Sequence, residues 1–159
     1  LFRVTDENGE RKTHAGLADK TCEEGHAYLP YWMMQTLQLE EGALINVRMV
    51  NLPKCKLVEF EWQDEAFLDI TDPAAVLTQT LKNYFTLTCG DTICISYNDR
   101  IYHLRVAQIR PEAAGGVLML NTTATLEFRA PPGYQEPTAR PSSSSVSGGS
   151  SGGMHSQSL

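Results

Sequence analysis

Cys94 and Arg100 have the Cys-x5-Arg spacing of a cysteine phosphatase loop. That chemistry curls backbone amides around a phosphate, uses glycine to make the curl, and begins a helix directly after the Arg. Here the intervening residues are Ile95-Ser96-Tyr97-Asn98-Asp99, with no glycine and an added acid. An alternating strand pattern follows Arg100, and Asn98-Asp99 reads as a tight turn, so the spacing predicts a hairpin instead. Asp64, Glu65, Asp69 and Asp72 are a second group, of the type acid–base or metal chemistry uses. Helix capping by Asp72 and a turn at Asp69 account for them better. His14, Cys22 and His26 lie close together, but a closed zinc site needs four ligands in paired short spacings. His26 and His103 fit ordinary strand positions. No Gly-rich phosphate loop, nucleophile elbow or dinucleotide fingerprint occurs. No catalytic residue or metal ligand is therefore assigned, no cofactor is expected, and a binding module fits better than an enzyme.

The elements that would carry these residues are short. Phe2–Thr5 reads as a strand, followed by a turn through Asp6-Glu7-Asn8-Gly9, and His14–Leu17 and His26–Leu29 are also strand-like. Pro30, Met33, Met34 and Leu37 fall on one stripe of a short helix, which Gly42 closes. Ile45, Val47 and Met49 alternate with Asn46 and Arg48, a strand with one wet face. Val58, Phe60 and Trp62 alternate with Glu59, Glu61 and Gln63. A second helix opens at Asp72-Pro73, with Ala74, Leu77, Leu81, Tyr84 and Phe85 as its stripe. Strands follow at Ile93–Tyr97, Tyr102–Val106, Val117–Leu120 and Ala124–Phe128. The order implies a mixed α+β fold, with a seam at Asn51-Leu52-Pro53. From Pro137 the composition turns to Ser, Gly and Pro, which cannot bury enough surface to offset its ordering entropy; 137–159 reads as a disordered tail.

Thirteen basic and nineteen acidic side chains leave a net charge of −6, a poor match to nucleic acid or anionic lipid. No apolar run approaches the roughly 18–20 residues of a membrane helix, so no membrane insertion is expected. The four cysteines are irregularly spaced, which fits free thiols in a reducing compartment. The chain starts at Leu1 rather than Met, which reads as a fragment.

Tyr28-Leu29-Pro30-Tyr31-Trp32-Met33-Met34 is dense in aromatics and methionine. Its helical spacing favours a core helix with Trp32 packed inside over an adaptable docking surface. This block, with Gln35, Leu37 and Leu39-Glu40-Glu41-Gly42, resembles the ubiquitin fusion degradation protein 1 family. So do Val50-Asn51-Leu52, Phe67-Leu68-Asp69-Ile70-Thr71-Asp72-Pro73, Ala75-Val76-Leu77, Leu87-Thr88, Gly90-Asp91, Tyr97-Asn98, Ile101-Tyr102, Leu104-Arg105-Val106 and Ala130-Pro131 with Gly133-Tyr134. The matches run in order from about Phe2 to Glu136.

The resemblance implies the remainder of a double-psi β-barrel subdomain over 1–53 and a small α+β subdomain over 54–136. It implies binding of ubiquitin and polyubiquitin chains. It also implies pairing of the full-length protein with a nuclear protein localization protein 4 homologue, as an adaptor bringing ubiquitylated clients to a valosin-containing-protein type AAA ATPase. Those clients include ones from endoplasmic-reticulum-associated degradation, which places the protein in cytoplasm and nucleus. The start corresponds to the middle of the family's barrel, so opening strands are expected to be missing. The tail holds no Phe-x-Gly-x-Gly element of the kind the family uses on the ATPase. Tyr28, Leu29, Pro30, Trp32, Met33, Met34, Asp69, Asp72, Pro73, Gly90, Asp91, Tyr97 and Asn98 carry the family pattern and are expected to be structural; no residue is assigned to ubiquitin contact. A purely structural subunit is the alternative, and a hydrolase using Asp69/Asp72 or Cys94/Arg100 a weaker one.

Overall fold

Val58, Phe60 and Trp62 alternate with Glu59 and Glu61, and the alternation becomes a two-faced strand, β4 (Leu57–Trp62). The computed structural model describes residues 1–136; the tail expected over 137–159 lies outside them. β4 sits inside a four-stranded sheet of order β6-β7-β4-β9, built with β6 (Thr92–Tyr97), β7 (Arg100–Arg110) and β9 (Thr125–Arg129). It is antiparallel to β7 and parallel to β9. The β6–β7 hairpin turns through Asn98 (φ 49°) and Asp99 (φ 57°). Two left-handed residues make the turn whose twist matches the flanking strands.

The inner face of this sheet carries Val58, Phe60, Trp62, Ile93, Ile95, Tyr102, Leu104 and Val106, all buried. Helix α2 (Pro73–Leu81) covers it with Leu77 and Leu81. Asp72 caps that helix, accepting the Ala75 N–H at 3.1 Å, with Pro73 at the first helical position. The helix stops at Leu81, short of the expected stripe. Ala74 is exposed, and Tyr84 and Phe85 belong to the connection that runs into β5 (Thr86–Thr88). The outer face is charged: Arg105 meets Glu61, and Arg129 meets both Glu59 and Glu61.

The first sheet along the chain is three-stranded, of order β2-β1-β3, from β1 (Phe2–Asp6), β2 (Lys12–Ala15) and β3 (Ile45–Met49). Helix α1 (Tyr31–Leu37) packs Met33 and Leu37 onto Val4. Three expectations fail here. His26–Leu29 is not a strand; His26 is exposed in a loop, its N–H bonded to Glu23 O. Gly42 does not end α1, because Gln38 takes the left-handed position itself (φ 52°). β3 is wet on both faces: Val47 is 48% exposed and Met49 80%. The α1 cluster reaches Ile45 but neither of these.

β5 pairs with β8 (Gly116–Leu118) in a two-stranded sheet. β5 went unread in the sequence because three residues are too few for alternation to show. Among the described residues no helix is long and apolar enough to cross a membrane, and all four cysteines are free.

Candidate functional site

The candidate catalytic groups do not assemble. Cys94 stands opposite His103 on the hairpin and Arg100 opposite Tyr97. Three ladder steps separate them, about 10 Å along the strands. Burial also raises the Cys94 thiol pKa, which disfavours the thiolate. Arg100 turns the other way, 3.2 Å from Asp69 and 3.8 Å from Asp64, with its guanidinium over the Tyr102 ring. Asp64 caps a short 3-10 helix, Glu65–Asp69, through the Ala66 N–H. The carboxylates thus cap and pair. Cys22 Sγ lies 3.4 Å from His26 O in an exposed loop, while His14 is buried elsewhere. No group of three His, Cys, Asp or Glu side chains among the described residues is placed to hold a metal.

What the fold does build is a cleft of about 1390 Å3 between the first sheet and the connection after α2. Leu29, Trp32 and Met33 form one wall, Phe2, Val4 and Val47 the floor, and Tyr84 and Phe85 a second wall that meets the first. The Trp32 and Tyr84 rings stand 5.8 Å apart at 49°. Tyr84 donates its hydroxyl to Cys94 O at 3.4 Å, and burial raises its pKa. Phe85 fits only because residue 16 is glycine: a Cβ there would lie 2.6 Å from the Phe85 ring. Tyr28 (82% exposed) and Tyr31 (75% exposed) project beside the cleft. Apolar walls, adaptable methionine and wet aromatics suit docking of a polypeptide.

The two walls are tied by a buried polar seam. β2 has an outer edge, and β5 covers it with side chains rather than a ladder. Thr88 Oγ1 accepts the His14 N–H at 3.0 Å, and Thr86 donates its hydroxyl to His14 O at 2.8 Å. His14 Nδ1 also meets Thr88 Oγ1 at 2.9 Å. Thr13 donates its hydroxyl to the Asp91 carboxylate. Burial is the main cause of two displaced pKa values. His14 falls to about 4, helped by Lys12 and Arg3. Asp91 rises to about 6 against the opposing Thr13 hydrogen bond.

The residues carrying the family pattern are dispersed through this frame. Tyr28 and Pro30 are exposed, Leu29, Trp32 and Met34 half-buried, and Met33 buried. Asp69 meets Arg100, Asp72 and Pro73 begin α2, and Asn98 turns the hairpin beside half-buried Tyr97. Gly90 (φ 93°) donates its N–H to Val106 O, which leads Asp91 into the seam. Thr13, Thr86 and the close-packed Gly16 and Gly116 were missed. Their signal is tertiary: no local pattern marks a threonine that bonds a strand edge more than 70 positions away.

Comparison with known proteins places these elements. Residues 1–53 match the family model "Ubiquitin fusion degradation protein UFD1, N-terminal subdomain 1", and residues 54–131 match "Ubiquitin fusion degradation protein UFD1, N-terminal subdomain 2". The human protein named ubiquitin recognition factor in ER-associated degradation protein 1 is 46% identical over 137 residues, covering 86% of this chain and 44% of that protein. Ubiquitin fusion degradation protein 1 of Saccharomyces cerevisiae is 38% identical over 138 residues, 86% of this chain and 38% of that protein. The Schizosaccharomyces pombe protein of the same name is 38% identical over 149 residues, 93% and 44% respectively. The chain thus spans less than half the length of these relatives. With the two subdomain models matched over residues 1–53 and 54–131, the chain belongs to the ubiquitin fusion degradation protein 1 family.

Proposed function

We propose that this chain is a non-catalytic ubiquitin-binding domain. In its full-length protein it acts as an adaptor, helping to bring ubiquitylated clients to a hexameric AAA ATPase for extraction and proteasomal degradation. The observation that carries this reading is the contiguous match of residues 1–131 to the two family models. The human relative's name, which specifies ubiquitin recognition in ER-associated degradation, supports it. The cleft that Trp32 and Tyr84 line together is the docking surface we assign to ubiquitin. The net charge of −6 favours a partner whose apolar face has basic neighbours, chiefly through faster association.

The same reading covers the partners and the place of action. A nuclear protein localization protein 4 homologue and a valosin-containing-protein type ATPase are the assembly partners of the full-length protein. Cytoplasm and nucleus are its compartments, in keeping with four free thiols. Residues 1–53 form the remainder of a double-psi β-barrel, a proposal supported by the three-stranded sheet and the wet edge strand β3.

Titrating the 15N-labelled chain with mono-ubiquitin, and separately with a Lys-linked chain, tests the proposal. Shifts localised to Leu17, Tyr28, Tyr31, Trp32 and Phe85 are expected. A dispersed spectrum that ubiquitin leaves unmoved would overturn it in favour of a purely structural subunit.

A further inference from the structure

One face of the first sheet concentrates positive charge in an otherwise acidic chain. Arg3 stands directly opposite His14 on β2 and directly opposite Arg48 on β3. Lys12, two residues before His14, leaves β2 on the same face. Arg11, Arg100, Arg105 and Arg129 all have carboxylates within 4 Å. Arg3, Lys12 and Arg48 have none among the described residues.

This face opens onto a pocket of about 490 Å3, separate from the cleft's aromatic walls. Arg3, Lys12 and His14 line one side, Asn51 the next, and the turn Glu112–Gly115 the far side. Lys12 Nζ lies 3.6 Å from where a Gly115 Cβ would stand, an ordinary contact distance, so the ammonium reaches this turn; the glycine itself answers to its left-handed φ of 71°. His14 is 3% exposed and held at Nδ1 by Thr88 Oγ1. Its Nε2 has no partner among the described residues. The pocket's single carboxylate, Glu112, is engaged by the Gln108 amide at 3.0 Å.

We propose that this pocket binds a phosphate monoester or inorganic phosphate, with Arg3 and Lys12 as charge partners and His14 Nε2 as a hydrogen-bonding partner. Two unpaired cations match a dianion, whereas a carboxylate would neutralise only one. Phosphate also supplies at least three acceptor oxygens for a guanidinium, an ammonium, a ring nitrogen and the Asn51 amide. The proposal does not rest on ubiquitin recognition, although His14 lines both the pocket and the cleft. Bound phosphate reverses the field on His14, so the low pKa that Lys12 and Arg3 help to impose rises on binding.

The 15N-labelled chain is titrated with inorganic phosphate, with an O-phosphoserine peptide, and with acetate at matched ionic strength. Saturable shifts at Arg3, Lys12, His14 and Gly115 are expected with both phosphates and not with acetate. Arg3→Gln and Lys12→Gln should each weaken binding roughly tenfold with spectral dispersion kept, the loss of one charged hydrogen bond. The His14 ring should titrate at higher pH when phosphate is bound. Tighter binding of the peptide assigns the ligand to a phosphorylated polypeptide; binding no tighter than phosphate alone assigns it to the free anion. Unsaturable shifts, equal shifts with acetate, or a Lys12→Gln chain that binds like the parent would each overturn the proposal.

Discussion

The Thr13 hydroxyl bonds to the Asp91 carboxylate across 78 positions of sequence, joining β2 to the turn that follows β5. Both residues are buried. The bond fastens the first sheet to the body that holds the second, and with it one wall of the cleft to the other.

Thr13→Val keeps the shape and removes the donor. Asp91 then stays buried with one partner fewer, which costs about 1–3 kcal/mol. Urea unfolding monitored by tryptophan fluorescence reads this as a lower midpoint with an unchanged slope.

Acid should expose two opposing linkages at the same seam. The folded pKa of His14, about 4, lies below its unfolded value of 6.5. Its contribution is intact above pH 6.5 and is lost as pH falls toward 4. The folded pKa of Asp91, about 6, lies above its unfolded 3.8, so its contribution improves as pH falls from 6 toward 4. In the parent the two nearly offset between pH 6 and 4. Asp91→Asn should therefore lose stability relative to the parent over that window, and His14→Gln should gain it. Midpoints at pH 7, 5.5 and 4.5 for all three chains check the signs; parallel profiles would contradict them.

Gly116→Ala should be costly. A Cβ there would stand 2.5 Å from His14 Nδ1, the same ring atom that Thr88 Oγ1 holds, so the ring could move away only by giving up that bond. Overpacking of this kind costs about 1–3 kcal/mol. Gly25→Ala is the control, since a Cβ there meets nothing within 4 Å and only the positive φ is strained. A thermal melt should drop several degrees further for residue 116 than for residue 25.

The two tryptophans should separate stability from docking. Trp62 is 2% exposed and stacks between Phe67 and Phe128. Trp62→Ala should cost about 3–5 kcal/mol. Trp32 is half-buried on the cleft wall, so Trp32→Ala should cost less and weaken ubiquitin binding in the folded fraction. Unchanged affinity in a folded Trp32→Ala chain would remove the cleft from the proposed function.

The elements legible in the sequence were those whose signal is local. Alternation gave Val58–Trp62, capping gave Asp72-Pro73, and a tight turn gave Asn98-Asp99. The errors arose where tertiary surroundings decide. Val47 and Met49 alternate like a half-buried strand, yet the α1 cluster does not reach them. Tyr84 and Phe85 continue a helical stripe in spacing, but the chain leaves the helix so that they can line the cleft. Leu87-Thr88 carried the family pattern without revealing that Thr88 receives the His14 N–H. The cleft was only half readable, because one wall is a motif and the other exists only through folding.

β4 pairs with β9 in parallel, Leu57 beside Thr125 and Glu61 beside Arg129. During synthesis, β4 emerges long before β9 does. Until residue 129 clears the ribosome, one flank of β4 presents unpaired backbone groups, with Phe60 and Trp62 on a face still missing Phe128. The nascent chain thus passes through a sticky interval that only its last described strand ends. A ribosome stall before residue 125 would leave a species prone to aggregate, and the parallel pairing makes β9 the element that completes the sheet.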